Sequence, residues 1–211
     1  MILSLFEYRH NGLINSEELA KGIQMLASFI LRRFICSESS RGYGQMFIRN
    51  LGVNNKPIED LHSYLITKGW PSNEKFIGSF VRTPLYIRSY AKHILSSLKV
   101  LRKHKEPANL NLTQVEHIMP RTLSDDWKNC LGTDHQRIYN EWLNTPGNLT
   151  LSAYNQELWN YTFDKKKTIY KESHVDLTLD ILHFDRWGEN EIEQRAMQLA
   201  TEASKLWIGP E

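Results

Sequence analysis

The chain has only two cysteines in 211 residues, Cys36 and Cys130, far apart and with no second thiol near either. Neither a disulfide framework nor a structural zinc site can be built from them within this chain, so no structural zinc is expected, and a reducing, cytoplasmic setting fits that usage. No apolar run approaches the roughly 20 residues needed to cross a bilayer. The opening MILSLFEYRHNG carries Glu7 early and has no small-residue cleavage site, so neither membrane insertion nor secretion is expected. Charge of one sign is missing as well: 26 Lys and Arg stand against 24 Asp and Glu, a net +2, and bulk electrostatics alone would attract a polyanion only weakly. There is no GxxxxGK loop, so the chain is not expected to bind a nucleotide itself. No internal repeat or low-complexity segment is found.

What is present is a globular composition, with 41% apolar, 24% charged and 11% aromatic residues. A chain of this length makes one domain or two modest ones, at roughly 150 residues per domain. It buries about 70% of its unfolded surface and needs no covalent staples. The basic residues are unevenly distributed. They gather at Arg32 and Arg33, at Lys99, Arg102, Lys103, His104 and Lys105, and at Lys165, Lys166, Lys167 and Lys171. Such clusters can neutralise phosphates locally, although any single run is more often a solvated helix face.

From Glu17 to Ile35, Leu19, Ile23, Leu26, Ala27, Ile30, Leu31 and Phe34 recur at steps of three and four, which predicts an amphipathic helix. Asn15 with Glu18 makes a capping box in front of it. Further helices are expected over 43–52, 58–67, 72–81 and 85–104, separated by Gly52, the Lys68-Gly69-Trp70-Pro71 turn and Pro84. The first region, 1–106, therefore reads as a helical bundle.

The pattern changes after Glu106-Pro107. Residues 109–120 are short, partly alternating and stopped by Pro120, as a strand would be. Two short helices, 124–130 and 134–143, lead to the turn signal Thr145-Pro146-Gly147, and 148–152 reads as a second strand. A helix is expected to begin near Ala153 and carry Asn155; another spans 163–170, and the last runs from 190 to 207. The fold class is thus mainly α, a helical bundle followed over 107–211 by a strand, turn, strand and helix unit wrapped by helices.

Glu116-His117 at the end of a strand sets a near-neutral base beside a hard oxygen ligand for a cation. Alone, such a pair is usually structural. The later string Gly147-Asn148-Leu149-Thr150-Leu151, then Asn155 and the lysines 165–167, changes the reading. Together with Ile118-Met119-Pro120, these residues resemble the ββα-metal core of HNH, or His-Me finger, endonucleases. More narrowly, they resemble the C-terminal nuclease domain of GmrSD-type modification-dependent restriction enzymes, to which the Ssp phosphorothioation-dependent nuclease is also similar. Phe163 to Lys166 with Tyr170 and Ser173, Arg32-Arg33, Trp70-Pro71-Ser72 to Phe76, and Pro84-Leu85-Tyr86 extend the resemblance over nearly the whole chain.

The resemblance implies a metal-dependent endonuclease hydrolysing DNA phosphodiester bonds, the cutting part of a bacterial anti-phage restriction system. His117 would be the general base. Asn155 and Glu116 would hold a divalent cation, Mg²⁺ in the first place and Mn²⁺ as the other candidate. Asn148 would brace the turn that orients His117, and Lys165, Lys166 and Lys167 would meet DNA phosphates. Modified phage DNA is the implied substrate, sensed by an N-terminal nucleotide-binding domain or a separate partner chain. Two alternatives stay open: a catalytically inactive DNA- or protein-binding module, and an RNA-cleaving toxin. His135, His174 and His183 lack partners at ligand spacing and read as structural or surface residues. Trp127, Trp142, Trp159 and Trp187 read as packing residues rather than base-stacking ones.

Overall fold

A computed structural model describes residues 1–48, 56–102, 109–153 and 158–211. Among them helices dominate. They are α1 (Ile2–His10), α2 (Ser16–Ile35), α3 (Tyr43–Ile48), α4 (Pro57–Thr67), α5 (Asn73–Arg82), α6 (Ala91–Leu101), α7 (Asp125–Leu131), α8 (His135–Trp142), α9 (Phe163–Tyr170), α10 (Asp176–Leu179) and α11 (Glu189–Leu206). Two strands, β1 (Gln114–His117) and β2 (Leu149–Ser152), pair antiparallel with Glu116 opposite Thr150 and His117 opposite Leu149. None of these helices is long and apolar enough to cross a membrane.

By packing, the chain divides into one unit of residues 1–79 with 204–211 and a second of residues 80–203. This division follows contacts, whereas the expected break near 106 follows composition. Helix α6, grouped by composition with the first region, packs on both strands.

In the first unit, α2 starts as its sequence requires. The Asn15 side chain accepts from the Glu18 N–H, and the Glu18 carboxylate accepts from the Asn15 N–H, which satisfies two otherwise orphaned donors. Its apolar face supplies Met25, Leu26 and Phe29 to a core shared with Leu5, Ile58, Leu61, Leu65 and Trp70. Arg32 does not face solvent. It is fully buried and donates to the carbonyls of Trp207 (2.7 Å) and Pro71 (2.9 Å) and to the Asn73 amide oxygen. The Arg32-Arg33 pair is therefore not a phosphate-facing cluster; Arg33 clamps the carbonyls of Lys68 and Ser39.

In the second unit, the helix expected over 85–104 begins only at Ala91. Residues 85–88 form turns instead, with the Tyr86 N–H donating to the Asn144 carbonyl. Ser89 then takes φ +60°, a left-handed conformation that helical propagation does not allow. The other expected helices fall within a residue or two of expectation, except that 49–52 of the 43–52 helix and the Asn155 helix lie outside the described residues; α1 and α10 had no counterpart in the expectation. Gly147 is required by close approach, since a Cβ there would sit 2.1 Å from the Ile192 carbonyl oxygen of α11. Arg195 on α11 is fully buried and donates to the carbonyls of Gly147 (2.8 Å), Leu149 (2.7 Å) and Leu177 (2.9 Å), tying the turn and β2 to that helix.

Candidate active site

The ladder ends at His117, and the Ile118 N–H still donates to the Asn148 carbonyl (3.0 Å). The turn before β2 therefore lies directly against the histidine. His117 is 5% exposed. Its Nε2 is 3.3 Å from the Asn144 amide oxygen, and its ring meets Tyr86 edge-on at 4.4 Å between centroids. An amide oxygen only accepts, so Nε2 carries the proton and Nδ1 keeps its lone pair. Burial, reinforced by the positive charges of Arg121 and Lys166 and opposed by the Asn144 hydrogen bond, lowers the pKa of His117 to about 4. The imidazole is neutral at pH 7, as a proton acceptor must be.

Glu116 points to the other face of β1, as strand alternation requires, and it is also buried. Its Oε1 lies 2.7 Å from the Lys166 Nζ, which donates in addition to the His117 carbonyl at 2.7 Å. Burial pushes the Glu116 carboxyl up and the Lys166 ammonium down, and each partner opposes the other's shift. One turn further along α9, Tyr170 is buried with a hydroxyl that finds no hydrogen-bond partner among the described residues, and burial with the nearby Glu116 charge raises its pKa well above normal.

Asn148 has no exposed surface and uses its full amide capacity. Its Oδ1 accepts from the Met119 N–H (2.7 Å) and Trp187 Nε1 (3.0 Å), and its Nδ2 donates to the carbonyls of Met119 (3.0 Å) and Leu143 (2.9 Å). It joins the residues after β1 to those before β2. With every lone pair and proton engaged, it has no free valence for a substrate.

The three lysines diverge. Lys165 is exposed, with its ammonium 3.4 Å above the Tyr161 ring. Lys166 is wholly buried in the pair with Glu116, out of reach of a phosphate. Lys167 is half-buried and donates to the Phe184 carbonyl (2.6 Å). The run is basic in sequence, but helical geometry turns its members to different surroundings. Trp127, Trp142 and Trp187 are buried as packing residues should be, whereas Trp159 is 72% exposed, contrary to expectation.

Among the described residues, no three His, Cys, Asp or Glu side chains group around a point that could hold a metal ion. Asn155 lies outside those residues. The donor chemistry nonetheless suits a hard cation. A carboxylate offers about four lone-pair sites, Lys166 meets one Glu116 oxygen, and Mg²⁺ commonly takes only one or two protein carboxylates and keeps waters. Sequence reasoning missed Asn144, Tyr86, Arg195 and the internal role of Lys166. Tyr86 stood in a matched motif, whereas nothing local marks Asn144 or Arg195.

No curated protein matches the chain in sequence. A sequence model described as GmrSD restriction endonucleases, C-terminal domain, matches residues 70–202, which include β1, the turn, β2 and every site residue described above. The chain belongs to the GmrSD restriction endonuclease C-terminal domain family.

Proposed function

We propose that the chain is a metal-dependent HNH endonuclease that hydrolyses DNA phosphodiester bonds as the cutting part of a modification-dependent anti-phage restriction system. The observation that carries this reading is the buried, neutral His117 with Nε2 held by Asn144, next in the strand to Glu116 and within the matched family segment. His117 Nδ1 takes a proton from the water that attacks phosphorus. The imidazolium so formed is stabilised by the substrate's phosphate charge, which offsets the nearby Arg121 and Lys166. Glu116 and Asn155 would hold the divalent cation, which when bound neutralises charge on the scissile phosphate and the leaving 3′ oxygen. Asn148 holds the two strand ends in register, and Lys165, exposed on α9, meets a flanking phosphate. Modified phage DNA and a sensor domain or separate partner chain complete the system.

Plasmid cleavage in Mg²⁺, Mn²⁺ or EDTA, with His117→Ala and Asn155→Ala beside the wild type, tests the proposal. Metal-dependent nicking or linearisation lost in both variants is expected; equal activity in all three proteins would sink it. One observation favours a second reading. Lys166 already compensates Glu116 inside the protein, so the pair could be purely structural in a catalytically idle DNA-binding module. In that case His117→Ala leaves DNA binding intact and no metal supports cutting. Running duplex DNA, single-stranded DNA and RNA side by side separates the nuclease from an RNA-cleaving toxin.

A further inference from the structure

Trp159 is 72% exposed although its neighbours are firmly anchored. Leu158 has no exposed surface, the Tyr161 N–H donates to the Leu158 carbonyl (3.2 Å), and the Tyr161 carbonyl accepts from Trp127 Nε1 (2.9 Å). The backbone at Trp159 takes φ +31°, a region that side-chain-bearing residues avoid. The loop is thus pinned on both sides of an indole that is held outward, in a conformation a simple turn would give to glycine or asparagine.

Tyr161, 37% exposed, carries the Lys165 ammonium 3.4 Å above its ring. The next residue, Lys166, reaches Glu116 and the His117 carbonyl from the buried side of α9. The exposed face of α9 and its end hold Lys165 and Lys171 against Asp164 and Glu172, so the helix presents no uniform basic face, and Lys165 is the one of these lysines set over an aromatic ring. An exposed indole, a partly exposed tyrosine ring and one cation are therefore gathered on the segment that leads into α9 and on its first turn, the helix whose next residue reaches Glu116.

We propose that Trp159, Tyr161 and Lys165 form a stacking platform for an unpaired base of the substrate DNA strand, with Lys165 at the adjoining phosphate. This rests on the nuclease reading above and extends it to how the strand is held. An indole face recognises any base through its π surface, but only a base outside the duplex stack exposes that surface. The platform therefore selects single-stranded or locally opened DNA.

The test is fluorescence anisotropy of a labelled single-stranded DNA oligonucleotide in EDTA, using the full chain, Trp159→Ala, Trp159→Phe and Lys165→Gln, with plasmid cleavage in Mg²⁺ run in parallel. Base stacking on an aromatic residue predicts about 5- to 150-fold weaker binding for Trp159→Ala, near-normal binding for Trp159→Phe, and unchanged melting temperatures. Lys165→Gln is expected to lower the slope of log binding constant against log salt by about 0.7. Unchanged binding in Trp159→Ala, equal loss in Trp159→Phe and Trp159→Ala, or tighter wild-type binding to RNA than to DNA would each overturn the platform. A wild type that cuts plasmid yet binds no single strand overturns the platform alone. A wild type that neither binds nor cuts overturns it together with the nuclease reading.

Discussion

His117 shows how a side chain's surroundings set its chemistry. A histidine in water titrates near 6.5, and here burial lowers it to about 4. It is a proton acceptor across the working range, at the price of being a weaker base than a solvent-exposed imidazole. Replacing it with alanine is expected to reduce plasmid cleavage by about 10²- to 10⁴-fold, the usual worth of a general base, with the circular dichroism spectrum retained; cleavage at the wild-type rate would remove it from the chemistry. Lys166 and Glu116 make the complementary case. Lys166→Met leaves a buried carboxylate without its cation, expected to cost about 3–5 kcal/mol in urea unfolding. Adding Glu116→Gln should restore much of that loss, because a neutral amide tolerates burial better than an unpaired charge. If the single and double variants were equally unstable, the ion pair would not be the reason for the loss.

Among the elements, the strand pair, the turn before β2 and α11 act together. Asn148, Gly147 and Arg195 all serve the same few residues: the first links the strand ends, the second lets α11 approach, and the third collects the freed carbonyls. Gly147→Ala places a methyl group on the Ile192 carbonyl and is expected to destabilise by at least about 1–3 kcal/mol, the range for overpacking. A thermal melt indistinguishable from wild type would show that α11 yields without penalty. These elements were unevenly legible beforehand. The period of three and four marked α2 and α11, and the Thr145-Pro146-Gly147 turn marked the approach to β2, because both signals are local. The late start of α6 was not legible, because the Asn144 carbonyl that captures the Tyr86 N–H lies 58 residues away in the chain.

For the molecule as a whole, the titration of His117 should appear in stability. Its folded pKa is depressed, so the unfolded chain binds the extra proton first. Its contribution is fully present above 6.5 and is lost as pH falls towards about 4; by linkage it amounts to about 3 kcal/mol at most. Glu116, pushed up by burial, acts in the opposite sense as pH rises above its ordinary value of 4.5. Urea midpoints at pH 7 and pH 4.5 are expected to differ more for the wild type than for His117→Gln. Equal differences would mean that burial does not hold His117 neutral.

The helical class, most of the helices, the two strands and the adjacency of Glu116 to His117 were readable from residue order. Periodicity, caps and turns act over a few residues, and a family resemblance rests on local strings. Which lysine of the 165–167 run faces solvent, which arginine is buried, and which tryptophan stands outside the core depended on packing. Lys165 and Lys166 are neighbours of the same type, yet one lies over an exposed tyrosine ring and the other neutralises a buried carboxylate 50 positions earlier. No local pattern distinguishes them, because the free energy that separates their roles comes from desolvation by residues distant in the chain and close in space.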